Sequence, residues 1–160
     1  MNIRYILLGV FLLLVGSLVY LVDRPPEHTY FIFSLPFELS LYDVYPPLFG
    51  PLSDFLPHYL HVSAFILMSA GVLNCGKRGF QVICLFWLVV CVSFELGQKY
   101  SEQAASLVPR WFDGIFLLEN TRGYFLYGTY CNLDMAAIAA GVLSAYLFLV
   151  YTHNRAIRQT

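Results

Sequence analysis

The sequence predicts an all-α integral membrane protein, a four-helix bundle with both termini cytoplasmic, on three observations. The 160 residues are 59% hydrophobic and only 12% charged, against about 25% charged in a soluble domain. The apolar residues gather into four runs long enough to span a bilayer. The charges lie between those runs, with the basic ones divided unevenly between two sides. Aromatic residues make up 18% of the chain, and many sit beside the apolar runs, as interfacial belts do. A net charge of −1 and the lack of a basic stripe exclude nucleic acid as a partner. No internal repeat or low-complexity segment is visible, so residues 1–160 read as a single membrane domain.

The first span is residues 5–22, preceded by Arg4 and followed by Asp23-Arg24-Pro25-Pro26. It is too long for a signal-peptide core and lacks a small-residue exit, so it is expected to stay as an uncleaved anchor. Asp23 to Pro57 is a long connection rich in proline and aromatics. Ser34-Leu35-Pro36-Phe37 and Tyr45-Pro46-Pro47-Leu48-Phe49-Gly50-Pro51 cannot sustain a helix, because proline removes a donor and clashes with the preceding turn. This connection is too apolar for a disordered linker and is expected on the outer interface or over the bundle; a re-entrant dip is the alternative. The second span, residues 58–74, ends at the basic turn Cys75-Gly76-Lys77-Arg78-Gly79. The third is residues 80–98. A second long connection, Lys99 to Cys131, holds a short helix over Ser101–Leu107, stopped by Pro109. The fourth span is residues 133–151.

Orientation follows from the basic residues. Arg4, Lys77, Arg78, Arg155 and Arg158 fall on one side with no acid among them. Arg24, Lys99, Arg110 and Arg122 fall on the other, mixed with Asp23, Glu27, Asp43, Asp54, Glu102, Asp113 and Glu119. The positive-inside rule then places both termini in the cytoplasm and both long connections outside.

From Arg78 to Glu95 is about 26 Å of helix at roughly 1.5 Å per residue, against a hydrocarbon core of about 30 Å. Glu95 therefore falls inside the membrane boundary near the outer face. An ionisable group there is costly and marks a site by default. His58 and His61 lie in the first turn of the second span, Glu95 and Gln98 in the last turn of the third, and Asp134 in the first turn of the fourth. Three helix ends meet at one level, and the ionisable residues of the span interiors meet with them. Phosphate-like and cationic ligands both suit such a site; a protonated His61 paired with Glu95 or Asp134 is a simpler use of the same residues. Asp134, Ala137, Gly141 and Ala145 share one side of the fourth helix, the last three as a small-xxx-small seam. On the third helix Cys84, Cys91, Glu95 and Gln98 share a face, which turns Glu95 into the bundle. Structural readings compete throughout. Asp134 suits a helix start through the dipole, with Asn132 as the competing cap; His58 suits the headgroup region; Glu95 with Gln98 suits a polar clamp between helices.

Other chemistries find less support. The four cysteines lie at different depths, no C-x-x-C occurs, and no disulfide is expected. The ligand types His58, His61, Glu95 and Asp134 suit zinc, but without H-E-x-x-H or distinctive spacing no metal centre is expected. No cofactor is expected either, since a glycine-rich phosphate loop is absent. Nor is there a G-x-S-x-G nucleophile. Thr129 and Ser63 lie near the right level, but neither has a marked base.

At these residues the chain resembles the VanZ-like family of small bacterial membrane proteins. The segments that carry the resemblance are Leu60-His61-Val62-Ser63-Ala64-Phe65, Phe94-Glu95-Leu96-Gly97-Gln98, and Gly128-Thr129-Tyr130-Cys131-Asn132-Leu133-Asp134 running into Ala137 and Gly141. They meet in order the family's His with Phe four residues on, its E-x-x-Q, and its Asp with Gly seven residues later. Pro57-His58 stands where many members have D-K, and the arginine often found before the Asp would be replaced by Arg110 or Arg122 folding back. The resemblance implies a cell-envelope setting and a link to resistance against glycopeptide antibiotics such as teicoplanin. The leading expectation is an inner-membrane protein binding an amphipathic envelope lipid or lipid-linked molecule at an outer-leaflet pocket. Its binding candidates are His61, Glu95, Gln98, Asp134, His58 and Thr129. The alternatives are an intramembrane enzyme acting on such a lipid, with Glu95 or His61 as general base, and an accessory subunit with a membrane-protein partner.

Overall fold

The computed structural model describes residues 1–26, 40–116 and 118–158, and among these it is all-helical. Six α-helices follow in order: α1 (Ile3–Asp23), α2 (Leu56–Leu73), α3 (Lys77–Lys99), α4 (Ser101–Leu107), α5 (Thr121–Tyr127) and α6 (Asn132–Ile157). Four of them, α1, α2, α3 and α6, are long and apolar enough to cross a membrane. The chain is thus built as a multi-pass membrane protein. The expected spans fall inside these helices, apart from a one-residue overrun at Asn74. The short helix ahead of Pro109 runs over the expected residues. The segment Ser34-Leu35-Pro36-Phe37 lies outside the described residues, as does Glu27.

The helix boundaries follow from local chemistry. Asn2 caps α1, its side chain accepting from the Arg4 N–H, as an N-cap asparagine does. Pro57 sits in the first turn of α2, where its missing N–H costs nothing. Asn74 ends α2 in the left-handed conformation at φ 47°, its N–H returning to the Ala70 carbonyl. The turn through Gly76 then opens α3 directly.

α2 is the central helix. It packs on α1 along one side and on α3 and α6 along the other. The apolar core joins Val62, Ile66, Leu67 and Ala70 of α2 to Phe80, Ile83 and Cys84 of α3 and Ile138, Ala145 and Leu149 of α6. Leu7, Phe11 and Leu14 of α1, Val82, Leu85 and Phe86 of α3, and Leu143 and Leu147 of α6 face outward. Helices apolar on both faces suit lipid outside and packing inside. Small residues bring the backbones together, as the sequence seam predicts. A Cβ on Gly141 would stand 2.7 Å from the Tyr59 carbonyl oxygen, and the Ser63 hydroxyl donates to the Gly141 carbonyl at 3.2 Å across that contact.

One end of the bundle is pinned by Asn2 N–H to the Gly71 carbonyl at 2.7 Å and by Tyr5 with Thr152 at 2.7 Å. At the other end the described part of the first connection folds onto α1. Leu41 N–H donates to the Leu21 carbonyl at 2.7 Å. The Asp23 carboxylate accepts from the backbone N–H groups of Leu48, Phe49 and Gly50 at 2.9, 2.8 and 2.9 Å. The Arg24 guanidinium donates to the carbonyls of Ser53 and Asp54. Tyr45 to Phe49 is non-helical, as its prolines require, and a single 3-10 turn covers Gly50–Leu52. The connection is therefore a strap fastened by two adjacent charged residues, neither of which the sequence singled out for that work.

Candidate functional site

The polar centre of the bundle is His58, and its two ring nitrogens reach two different helices. Nε2 lies 3.2 Å from Glu95 Oε1 on α3. Nδ1 lies 3.5 Å from Asp134 Oδ1 on α6, within ion-pair range, yet this nitrogen makes no hydrogen bond. Glu95 is only 1% exposed and Asp134 7%, while the His58 side chain keeps 20% of its surface. The second oxygen of Glu95, Oε2, is buried with no hydrogen-bond partner. Two carboxyls and one imidazole thus share a space at the end of the bundle with two polar atoms unsatisfied.

The local sequence makes this possible in three ways. His58 is in the first turn of α2, so its side chain starts where the helices have not yet closed on one another. Glu95 shares a face of α3 with Cys84 and Cys91, the inward face that the sequence indicated. Asp134 is in the first turn of α6, where the helix dipole favours a negative charge. Asn132, the competing cap in the sequence, does not cap α6. Cys131 occupies the cap position with no side-chain bond, and the Asn132 side-chain oxygen accepts instead from the Tyr130 hydroxyl at 2.9 Å.

His61 goes elsewhere. Its ring stacks on Tyr20 of α1, with centroids 5.8 Å apart and planes 13° apart, and packs against Phe65 at 6.3 Å. The reason lies in helix geometry. A step of three residues rotates about 300°, leaving the two histidines about 60° apart. Because α2 has α1 on one side and α3 and α6 on the other, that angle sends His61 to α1 and His58 to the carboxyls. The carboxyls therefore meet His58 and not His61, the partner that the sequence offers for Glu95 or Asp134.

The surroundings of the cluster come from three further directions. Arg24 lies over the Tyr20 ring, 4.9 Å from its centroid. Arg24 and Asp54 are both within electrostatic range of Asp134. Arg110 and Arg122 are exposed, and the arginine brought near Asp134 is Arg24, just past the end of α1. Gln98 is half-buried and shares a hydrogen bond with the Tyr124 hydroxyl of α5. Phe125 of α5 packs on Gly97 so closely that a Cβ there would meet the ring at 2.5 Å, and Phe94 stacks on Phe125 at 5.7 Å. α5 was not foreseen; its Tyr124-Phe125 pair closes the bundle end over Gln98. Burial, then the nearby Glu95 carboxyl, push the Tyr124 phenol well above the usual range, so it stays a neutral hydroxyl. Thr129 is exposed beside Gly128, which touches the Gln98 side chain; it is adjacent to the site rather than in it.

The arrangement can do three things chemically. It can hold a proton between acids and a base, bind a cation through its two carboxyls, or take the polar head of a larger molecule after α5 or the strap gives way. Comparison with protein-family models, with curated proteins and with solved structures finds no match to this chain.

Proposed function

We propose that this chain is a VanZ-like protein of a bacterial inner membrane. In this reading it binds the polar head of an amphipathic envelope lipid or lipid-linked molecule at His58, Glu95, Asp134 and Gln98. The single observation that carries the reading is the His58–Glu95–Asp134 cluster, built from three helices at one end of a lipid-suited bundle. Burying these groups costs free energy that packing alone does not explain. The Glu of the E-x-x-Q and the Asp of the ordered motifs both belong to that cluster, which supports the family reading. The positive-inside pattern puts this end at the outer leaflet, with both termini in the cytoplasm. The strap and α5, rich in aromatics, then lie where a lipid head would enter. His61 acts at one remove, as the ring on which Tyr20 rests. Envelope maintenance or resistance to a lipidated glycopeptide follows at the level of the family.

Native mass spectrometry of the purified chain tests the reading. One retained lipid-sized adduct per chain is expected for the natural protein, and its loss from Glu95→Gln. An adduct of equal occupancy in both would remove the cluster from the site.

The same geometry favours a second reading, an intramembrane enzyme acting on such a lipid. An imidazole set between two carboxyls is the arrangement that acid–base catalysis uses. Conversion of a radiolabelled lipid extract by the purified protein, absent in His58→Gln, separates catalysis from binding.

A further inference from the structure

We propose that His58, Glu95 and Asp134 hold a divalent transition-metal ion of the zinc class. Each residue offers a ligand atom, and these atoms all lie within 4.8 Å of one another. Donors around a tetrahedral zinc at 2.0–2.1 Å stand about 3.4 Å apart. His58 Nε2 and Glu95 Oε1 stand 3.2 Å apart, while the 3.5 Å contact of Asp134 is to the other ring nitrogen, Nδ1. Only one imidazole nitrogen takes a given ion, so carboxyl rotations of about an ångström complete the three-ligand set. The other nitrogen keeps a carboxylate oxygen beside it, the pairing that orients a metal-bound histidine.

A second, independent observation points to a missing ligand. Glu95 is nearly fully buried, and its Oε2 has no hydrogen-bond partner, nor has His58 Nδ1. A buried carboxylate oxygen left without a donor is costly, and a cation satisfies it. Charge leads to the same assignment. Two ionised carboxylates with a protonated imidazole sum to −1 among themselves, and the Arg24 and Asp54 charges near Asp134 cancel one another. Two carboxylates, a neutral imidazole and a divalent ion sum to zero, which low polarity favours.

The donor set selects the ion. Imidazole with carboxylate suits zinc and its neighbours, whereas calcium takes six to eight oxygens and magnesium retains most of its waters. Three protein ligands leave the fourth position open, available to a phosphate or carboxylate oxygen. The inference uses the cluster of the headgroup reading but needs no lipid, so either can fail alone. Zinc bound without a lipid adduct sinks the headgroup reading and leaves this one standing.

The test uses the full chain in detergent, stripped with chelator and dialysed against zinc, with metal content measured by plasma mass spectrometry. One zinc per chain is expected, falling to background in His58→Lys, in Glu95→Gln and in Asp134→Asn. Lysine keeps a positive charge between the two carboxyls but offers no ligand at neutral pH, so His58→Lys is designed to keep the helices together, as circular dichroism reports. Should that variant lose its helicity, Asp134→Asn carries the test. X-ray absorption of the loaded protein should show nitrogen and oxygen neighbours only. Background zinc in the natural chain, unchanged zinc in the variants, or a sulfur neighbour would each overturn the proposal.

Discussion

Nε2 of His58 lies 3.2 Å from Oε1 of Glu95, and this contact ties the first turn of α2 to the last turns of α3. Removing the carboxyl strips the imidazole of its closest partner. Glu95→Ala is expected to cost about 1–3 kcal/mol, the penalty for orphaning a buried polar group. Glu95→Gln, whose amide oxygen still accepts from the ring, should cost less than half as much. Thermal unfolding in micelles, followed by circular dichroism, ranks the two. Equal losses would mean that the cluster's charge, rather than this contact, holds the helices.

Asp23 fastens the strap. Its carboxylate serves three backbone N–H groups, those of Leu48, Phe49 and Gly50, and bonds to an ionised acceptor are the stronger kind. Asp23→Ala should free residues 44–52 without unfolding the bundle, because none of the core residues lies there. Limited proteolysis is the readout: cleavage in this segment should quicken several-fold while the spanning helices stay intact. Cleavage at the natural rate would show that Arg24, with its bonds to Ser53 and Asp54, holds the strap unaided.

How much of this was legible in the sequence depends on the range of the interaction. The spans were plain, because a run such as residues 5–22 must be either a membrane helix or an insoluble one. The Ala137-Gly141-Ala145 seam was visible through its period, and Glu95 through the cost of a carboxyl in an apolar run. The choice between His58 and His61 was not visible. It turns on which neighbour each side of α2 receives, and spacing within one helix cannot give that. Arg24 and Asp23 looked like ordinary flanking charges, and their partners lie 25 to 30 residues away through backbone groups, which carry no sequence signal. α5 was hidden for another reason: no proline marks the end of Thr121–Tyr127 as Pro109 marks that of the equally short α4, and tertiary packing on Gly97 holds it.

Gly141 sets the spacing between α2 and α6. A methyl group there would meet Val62 at 2.6 Å and the Tyr59 carbonyl oxygen at 2.7 Å. The backbone contact cannot rotate away, so Gly141→Ala should destabilise by about 1–3 kcal/mol through overpacking. Gly114 is the control, since a methyl group there meets nothing within 4 Å; Gly114→Ala should leave the midpoint nearly unchanged. The same thermal scan reads both. A neutral Gly141→Ala would mean that the two helices slide apart freely.

Tyr124 predicts an alkaline limit. Burial and then the Glu95 carboxyl raise its pKa above that of an ordinary phenol. The folded state therefore holds the phenolic proton more tightly than the unfolded chain. A raised folded pKa gives stability that is complete below pH 10 and lost as pH climbs beyond it. The natural protein should lose stability above about pH 10, and Tyr124→Phe should lose less over the same interval. Difference absorbance of the phenolate supplies the direct check. A phenol titrating at its ordinary value in the folded protein would place Tyr124 in solvent and open the roof above Gln98.

Two cysteines decide which way the bundle faces. Cys131 is exposed on the connection that leads into α6, at the end that carries the cluster, and Cys75 is half-buried in the turn between α2 and α3 at the opposite end. Cys84 and Cys91 lie inside α3 on its inward face, out of reach of a charged reagent. With the cluster in the outer leaflet, a membrane-impermeant maleimide added to intact spheroplasts should label Cys131 and spare Cys75. Permeabilisation should then expose Cys75, and Cys131→Ser should erase the signal from intact cells. Labelling of Cys75 alone in intact spheroplasts would invert the bundle, because the two residues flank opposite ends of α2 and α6. His58, Glu95 and Asp134 would then face the cytoplasm, and an envelope molecule presented from outside could not reach them.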